Sequence, residues 1–569
     1  MPGKSDTPLP TSLPLSPGWR RLGVGVLILL AVLPIWRVLD LTTDARRDVV
    51  YWDEFDTVLA LTLKLDSRPA AAEVVRELLS INNEHRMVVS RLIFAASYWL
   101  TGGVDFVVFN WIGNLAIVAA CLALTLHART RLHRLLLGLA LGAFVFQLGN
   151  YENLVWSGAS IDHFVVILFA VLASLALAAP GRIRLANATA AGFAATFTLA
   201  HGLAIWPAGA LMLLAQRRRR PLLVWMAAGM VATGVFLTGF RLNPSHPSPV
   251  ATLEQAGRFL HYWVSLLGSA PSLGHASMAP VAGVLLVLLS AFLLRRQGAR
   301  RAPATFSLLI FLALAAAMIA VGRSEQAKGL VHSRYQIISA IAWAVTLALA
   351  VKRTGLLRRP GLVLPASAAA LLAFNVAANR SYRDELDSWI TCRDLAVNMY
   401  IEHGEDGRGA FVLHPKPSHS TGLLKAAQRR GLYAIEPVCN REEPSPRAVE
   451  SGRITYHIET LDADPVRTVI KGWAGIDGIS FERGAIRVIL RRENISQVYS
   501  AVTVPREDVP AIMRQPRWGN AGFSLALPTA GIAVGEYRIG LLVHAGGRDE
   551  YVMTAGTITI PESIPRNAD

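Results

Sequence analysis

Three acidic residues, Asp53, Glu54 and Asp56, lie among aromatic residues in the segment YWDEFD (51–56), which follows a long apolar segment. A carboxylate that aromatic neighbours partly bury can keep a raised pKa and act as a general base, or it can bind a hard divalent cation. The alternative is a solvated loop with no chemical role, and that alternative is strongest for Asp56. The choice depends on the elements that position this segment.

The composition is typical of a membrane protein. The chain has 569 residues, 53% of them hydrophobic, and a mean hydropathy of +0.39. Stretches such as 23–36 and 306–321 carry no charge, and repeated runs of this kind predict a polytopic α-helical membrane protein. The net charge of +16 does not indicate a nucleic-acid partner, because the basic residues cluster in short loops between the apolar runs.

Hydropathy and charge together predict a topology with a cytoplasmic N-terminus and about eleven spans. The predicted spans are 22–40, 105–127, 134–150, 159–179, 186–200, 202–215, 221–240, 279–296, 304–322, 333–351 and 361–378. This arrangement places every basic cluster on the cytoplasmic side, as the positive-inside rule requires. The first span is predicted to be an uncleaved signal anchor. The segment 87–100 is predicted to be a helix on the outer interface, because a span there would move the basic cluster 129–134 outside.

The prediction divides the chain into a transmembrane domain (1–379), a mixed α/β connecting region (380–447) and an all-β sandwich (448–569). Short alternating strands separated by turns follow residue 452. In the connecting region, 389–404 and 423–431 predict helices, and FVLHP (411–415) predicts a buried strand. An odd number of spans places both soluble regions in the periplasm. There, Cys392 and Cys439 could form a disulfide.

The arrangement of the first 380 residues resembles the GT-C superfamily of integral-membrane glycosyltransferases. The shared features are a first span, a short acidic motif, an amphipathic outer helix and then the second span. The segment NNEHRMVVSRLIFAASYWLTGGVDFVVFNWIG (82–113) resembles the corresponding stretch of protein mannosyltransferases and of the aminoarabinose transferase that acts on lipid A. In that group the stretch begins His-Pro-Pro and contains Arg-Leu-Pro. Here Glu84-His85-Arg86 replaces the first motif and the second is absent, which indicates a distant branch.

The resemblance implies transfer of a hexosyl or pentosyl group from a polyprenyl-phosphate-linked sugar donor. It places the reaction on the outer face of a bacterial inner membrane, with a cell-envelope glycan or lipid as the acceptor. Asp53 corresponds to the catalytic carboxylate, with Glu54 beside it. Inverting transfer needs a base for the acceptor hydroxyl and cations for the leaving phosphate. The candidate phosphate-binding residues are Arg86, Arg91, Arg323, Lys328, His332, Arg334 and Tyr335, of which the SRY segment (333–335) is favoured. Any one of these arginines could instead contact lipid headgroups.

Other polar residues in the outer loops are candidates for substrate binding. Glu84 and His85 lie in the first outer loop, and Glu152 lies in NYENLVW. His201 lies at a predicted membrane edge, where ionisable groups are expensive and usually functional, although a lone histidine is more often a hydrogen-bonded structural residue. Asp53, Glu84, His85 and Glu152 could together bind a divalent metal cation, but no spacing motif supports this.

The C-terminal region has a weaker resemblance to β-sandwich modules of bacterial polysaccharide-building glycosyltransferases. The shared elements are Gly472-Trp473-Ala474, the turn from Arg506 to Val509, and Ala521-Gly522-Phe523. Two other functions remain open at this point. An O-antigen-type polymerase or ligase would also have many spans and outer arginines. A transporter of lipid-linked saccharides would instead need ionisable or broken helices at mid-membrane and internal repeats.

Overall fold

The computed structural model describes most of the chain. The described residues are 17–43, 45–240, 255–295, 298–324, 331–354, 356, 360–403, 408–435, 448–464, 467–481, 484–493, 495–529 and 532–561.

The described residues are mostly helical up to residue 429 and form strands from residue 449 onward. The helices are α1 (Pro17–Thr43), α2 (Ala60–Asp66), α3 (Ala71–Leu78), α4 (Val88–Thr101), α5 (Phe106–His127), α6 (Arg131–Val145), α7 (Tyr151–Val155), α8 (Ser157–Ala159), α9 (Val165–Ala178), α10 (Arg182–Thr196), α11 (Ile205–Ala215), α12 (Arg219–Leu237), α13 (Ala256–Gly268), α14 (Met278–Leu294), α15 (Gly298–Arg301), α16 (Pro303–Arg323), α17 (Gln336–Arg353), α18 (Pro360–Ser381), α19 (Arg383–His403), α20 (Arg408–Leu413), α21 (Pro417–Arg429) and α22 (Val509–Ile512). Short π-helical and 3-10 turns interrupt the helices at Phe55–Leu59, Leu148–Asn150, Ser160–Phe164, Ala200–Ala204 and Ser333–Tyr335.

The chain folds as two compact units. The helical unit consists of Met1–Arg46, Val75–Ile93 and Val107–Asp384. The tail unit consists of Arg47–Val74, Phe94–Phe106 and Glu385–Asp569. The first outer loop of the sequence prediction is therefore divided, and its acidic segment belongs to the same unit as the C-terminal residues.

The helical unit is built from apolar helices. Among the described residues, seven helices are long and apolar enough to cross a membrane, or eight if the two segments Arg131–Val145 and Leu148–Val155, bent by 56°, form one span. Each of the eleven segments predicted as spans overlaps a helix. Large apolar side chains such as Leu223, Met230 and Val281 remain exposed on these helices. Such helices are consistent with a membrane protein, because lipid can cover side chains that water would expel.

Short helices with close backbone contacts pack inside this unit. Helices α10 and α11 have 15 and 11 residues, and a 3-10 turn joins them at His201. A side chain at Gly202 in this turn would overlap the carbonyl oxygen of Ala195. Only glycine permits this approach of two backbones, which fixes the position of the turn against the end of α10.

Hydrogen bonds from Gln216 and Arg218 tie several helices together at one end of the helical unit. Arg218 donates to the carbonyl of Leu177 at 2.8 Å, and Gln216 donates to that of Ala299 at 2.7 Å. These bonds join the C-terminal ends of α9 and α11 to α15, the short helix before α16. We call this the basic end.

The C-terminal half of the tail unit forms two sheets. The strands are β1 (Val449–Glu450), β2 (Ile454–Ala463), β3 (Arg467–Ile476), β4 (Ala485–Arg492), β5 (Ile495–Ser500), β6 (Val502–Val504), β7 (Gly522–Pro528), β8 (Gly535–Ala545) and β9 (Arg548–Ile560). One sheet has the order β1-β9-β8-β4-β5 and the other β2-β3-β7-β6. All strand pairs are antiparallel except β1 with β9.

The two sheets share one hydrophobic core. Ile470 and Phe523 from one sheet and Val488 and Leu541 from the other are buried in it. Trp473 packs against this core, near Trp518. A core between two sheets of alternating strands is the arrangement that the strand pattern predicted.

One secondary-structure prediction in the connecting region is wrong. Phe411, Val412 and Leu413 end the helix Arg408–Leu413 and do not form a buried strand. The apolar run is too short to distinguish the two by periodicity. The helices predicted near 389–404 and 423–431 are confirmed as Arg383–His403 and Pro417–Arg429. Cys392 is a free, exposed thiol, while Cys439 lies outside the described residues.

Candidate functional site

Polar side chains from seven separate segments of the helical unit meet at the end of its helices opposite the basic end. We call this group the polar cluster. Its members are Glu84, His85, Glu152, His163, His201, Tyr262, Arg323, His332, Arg334 and Tyr335. All except His163 and Tyr262 are residues that the sequence analysis selected as candidates for substrate binding.

An ion pair between Glu152 and Arg334 forms the centre of the cluster. The Arg334 guanidinium lies 3.0 Å from Glu152 Oε1, and the Arg334 amide donates to Oε2 at 2.9 Å. The Ser333 hydroxyl donates to the carbonyl of Gly149, and Asn153 donates to the carbonyl of Arg334. These bonds lock SRY onto NYEN, so that the charge of the favoured arginine is balanced by Glu152.

Glu84 links two further members of the cluster. Its Oε1 lies 3.7 Å from His85 Nε2 and 3.7 Å from Arg323 Nη2. His85 Nδ1 accepts a hydrogen bond from the amide of Ala200, which assigns the imidazole proton of the neutral form to Nε2, on the side of Glu84. This bond also ties the first outer loop to the turn that carries His201.

The histidines of the cluster stack on one another and on Tyr335. The rings of His163 and His201 are nearly parallel, with centroids 5.9 Å apart. Tyr335 meets His163 and His332 edge to face. His163 is presented by the π-helical turn Ser160–Phe164, and such turns inside helices often mark functional positions. Its neighbour Asp162 accepts a hydrogen bond of 2.7 Å from Ser90.

Tyr262 is the member that most directly indicates a ligand. Its side chain is 2% exposed, and its hydroxyl has no hydrogen-bond partner among the described residues. It lies within electrostatic range of Tyr335, Arg323 and Arg334, and burial raises the pKa of its phenol. A buried hydroxyl without a partner costs free energy unless a ligand or water satisfies it. The sequence analysis did not select Tyr262. The only sequence feature that could have pointed to it is its position in the amphipathic helix AGRFLHYWVSLLG, which has few polar residues.

Two of the predicted phosphate-binding arginines bind backbone instead. Arg86 donates from Nε to the carbonyl of Phe236 at 2.8 Å and also contacts the carbonyls of Leu79 and Thr238. Arg91 donates to the carbonyls of Glu77 and Ser80. These bonds satisfy carbonyls at helix ends, which is a structural role. Lys328 lies outside the described residues.

The tail unit holds the acidic segment, which forms a tight turn at residues 51–57 that we call the acidic turn. Trp52 has φ of 51°, a left-handed conformation that is rare for a bulky residue and marks strain. Glu54 is buried, and its Oε2 accepts from the amide of Tyr51 at 2.8 Å. The Asp53 carbonyl accepts from both the amide and the hydroxyl of Thr57, while the Asp53 side chain is exposed.

Asp56 is held by two histidines that sequence analysis did not select. His419 Nε2 lies 2.7 Å from Asp56 Oδ1, and His414 Nε2 lies 3.7 Å from Oδ2. The His414 ring packs near Phe55, and its Nδ1 accepts from the amide of Lys416. The nearby His414 imidazole lowers the pKa of Asp56 most, and the hydrogen bond with His419 lowers it further. Burial acts in the opposite direction, and the pKa remains below its usual value. The only sequence signal was the pair of histidines in HPKPSH.

The three carboxylates of the acidic turn have different surroundings, which the sequence alone could not show. Glu54 braces the backbone of the turn and Asp56 is paired with histidine. Asp53 is the carboxylate whose side chain is exposed beside a strained residue. No group of three or more acidic, histidine or cysteine side chains in the described part of the chain is placed to hold a metal ion. The set of Asp53, Glu84, His85 and Glu152 therefore gains no support as a metal site.

No family model matches this chain, and no curated protein matches it.

Proposed function

We propose that the protein is a membrane glycosyltransferase that moves a sugar from a polyprenyl-phosphate donor to a cell-envelope glycan or lipid on the periplasmic face of a bacterial inner membrane. The observation that carries this proposal is the polar cluster. Eight residues selected for substrate binding, scattered over about 250 positions of sequence, come together at the end of the helices opposite the basic end. If the basic end is cytoplasmic, the cluster faces outward.

The composition of the polar cluster suits a lipid phosphate. Arg323 and Arg334 supply guanidinium groups, and Tyr262 supplies a hydroxyl without a partner among the described side chains. Glu84 and Glu152 balance the two arginines of the cluster, which lowers the cost of holding largely buried cations. The proposed binding step replaces part of this pairing by contacts from the phosphate oxygens, which accept bidentate bonds from arginine.

In the proposed reaction Asp53 acts as the general base. It takes the proton of the acceptor hydroxyl while that oxygen attacks the anomeric carbon of the donor sugar. The bond between the anomeric carbon and the phosphate oxygen breaks, and the polyprenyl phosphate leaves with the electron pair. A base of this kind contributes about 10²–10⁴-fold to the rate. The leaving phosphate needs cations rather than an acid, because it is already a weak base.

The test is the envelope glycan of a strain that lacks the gene, analysed by mass spectrometry after complementation. The complementing genes encode the wild type, Asp53→Asn and the control Asp105→Asn, which changes an exposed aspartate of the same unit. We expect the deletion to lose one sugar substituent, and the wild type and Asp105→Asn to restore it. Asp53→Asn, expressed at wild-type level, should not restore it.

Three results would reject parts of this proposal. Full restoration by Asp53→Asn removes Asp53 as the base. Loss of an entire repeating unit or of polymer length, rather than of one substituent, favours the polymerase or ligase. Accumulation of the intact donor on the cytoplasmic side favours a transporter.

A further inference from the structure

The five-stranded sheet of the tail unit carries two arginines directly opposite each other. In the register of β4 and β8, Arg491 pairs with Arg538. Their neighbours Leu490 and Ile539 point into the hydrophobic core, so both arginines lie on the outer face of the sheet. Like charges in directly opposite positions destabilise a sheet. An anion bound between the two guanidinium groups would relieve this repulsion.

The described side chains do not supply that anion as an ion pair. Within the described residues neither Arg491 nor Arg538 forms a salt bridge. Arg491 is anchored through Nε, which donates to the hydroxyl of Ser496 at 3.1 Å. Ser496 lies on β5, on the other side of β4 from Arg538, so that Arg491 is hydrogen-bonded on one side and faces Arg538 across the register on the other.

A third arginine is held beside this pair by the backbone. Arg492 donates to the carbonyl of Val534, and its guanidinium lies against Gly535, where any Cβ would collide with it. Gly535 has φ of 144°, a conformation that other residues rarely adopt. The loop before β8 thus accepts a hydrogen bond from the exposed side chain of Arg492.

The three arginines line a cleft of about 630 Å³ with Glu493, Glu536 and Thr557. This volume lies within the range of small-molecule sites. The lining supplies guanidinium donors together with carboxylate and hydroxyl acceptors. A ligand that carries a negative charge as well as several hydroxyl groups can satisfy both kinds of partner. A bare phosphate or a flat anionic membrane surface would use the arginines but would be repelled by the two glutamates.

We propose that this cleft, which we call the arginine cleft, binds an acidic oligosaccharide, with the acid group of the sugar between Arg491 and Arg538. Glu493, Glu536 and Thr557 accept or exchange hydrogen bonds with its hydroxyl groups. Arg492, beside Gly535, contacts a second part of the same chain. The arginine cleft lies wholly within the β-sheet region of the tail unit. The inference does not depend on the proposed transferase activity.

The experiment uses the full-length protein in nanodiscs of uncharged lipid. The nanodiscs are incubated with an array of oligosaccharides that carry uronate, pyruvate or phosphate groups, and each oligosaccharide is printed beside its neutral counterpart. Affinity for the best acidic glycan is then measured in solution for the wild type, for Arg491→Gln/Arg538→Gln and for the control Arg517→Gln. Arg517 is an exposed arginine of the same region whose side chain does not line the cleft.

We expect the acidic glycan to bind, its neutral counterpart to bind at least tenfold more weakly, and the double variant to lose at least tenfold in affinity. Arg517→Gln should bind as the wild type does. The thermal midpoint of the double variant should equal or exceed that of the wild type, because the variant removes a repulsion; this separates lost binding from lost folding. Failure to retain any acidic glycan overturns the proposal, as does equal binding of the neutral ones. Retention of anionic vesicles or inorganic phosphate alone, with equal loss in the double variant, also overturns it and identifies a headgroup site.

Discussion

The polar cluster of the helical unit and the acidic turn of the tail unit use charged residues in different ways. In the polar cluster each carboxylate among the described residues forms an ion pair with an arginine. Gly202 allows the turn that carries His201 to pack closely against the backbone of α10. In the acidic turn a bulky residue, Trp52, occupies a left-handed conformation and the Asp53 side chain is exposed. We propose from this difference that pairing marks a preorganised binding site and that exposure with local strain marks the reacting group of the proposed transfer. Three predictions test this distinction, in addition to the two experiments above.

The largest effect is expected from Gly202→Ala in the turn that carries His201 of the polar cluster. Its Cβ would overlap a backbone carbonyl of α10, and backbone cannot move aside as a side chain can. We expect a loss of stability at or above the upper end of the range of about 1–3 kcal/mol for overpacking. The measurement is the thermal midpoint of the detergent-extracted protein.

Gly234→Ala is the matched control for that substitution. Gly234 also lies in a helix of the same unit, but a Cβ there would meet nothing within 4 Å. Alanine should stabilise this helix by about 0.5–1 kcal/mol. Equal behaviour of the two variants would show that the turn at His201 is not tightly held, and the contrast with the acidic turn would fail.

A smaller effect is expected from breaking the ion pair between Glu152 and Arg334. Glu152→Gln or Arg334→Gln leaves a largely buried polar partner unsatisfied, which costs about 1–3 kcal/mol. A double-mutant cycle on thermal unfolding gives the coupling between the two residues. Both single variants should also lower transfer activity, because the cluster loses its central contact.

The exposed pair of Asp66 and Arg430 in the tail unit is the reference for this cycle. Their charged groups lie 3.2 Å apart, with side chains 32% and 45% exposed. Solvent screening limits the coupling of such a pair to about 0–1 kcal/mol. A coupling in the polar cluster no larger than that of this exposed pair would contradict the view that the cluster is preorganised by pairing.

The smallest effect concerns the pH dependence of Asp56. Its pKa in the folded protein lies below the unfolded value of about 3.9, chiefly because of the nearby His414 imidazole. The stabilisation is therefore complete above the unfolded pKa and disappears as the pH falls through the lowered folded pKa. The difference in thermal midpoint between the wild type and Asp56→Asn should be present at pH about 5 and vanish in stronger acid.

The background His414→Gln/His419→Gln should remove that difference at every pH. A difference in thermal midpoint between wild type and Asp56→Asn that persists below pH about 3 would mean that the stabilisation by Asp56 does not depend on its charge. The histidines would then act by packing alone, and the acidic turn would be held as rigidly as the polar cluster.

Much of the helical unit followed from local features of the sequence. Long apolar runs must form helices wherever water is excluded, since no other conformation satisfies the backbone internally. The eleven predicted segments accordingly coincide with helices, and alternating short strands predicted the two sheets. The strand predicted at FVLHP failed because a short apolar run fits a helix and a strand equally well.

The sequence by itself determined which residue types could do chemistry and that apolar helices separate them. Eight members of the polar cluster could be selected because polar residues beside apolar helices are costly and need a reason. Only the tertiary structure decided that Arg86 and Arg91 serve backbone carbonyls. Tyr262 and the two histidines at Asp56 likewise emerged only from the fold. Hydrogen-bond partners depend on contacts between residues far apart in sequence, and local patterns carry no information about those contacts.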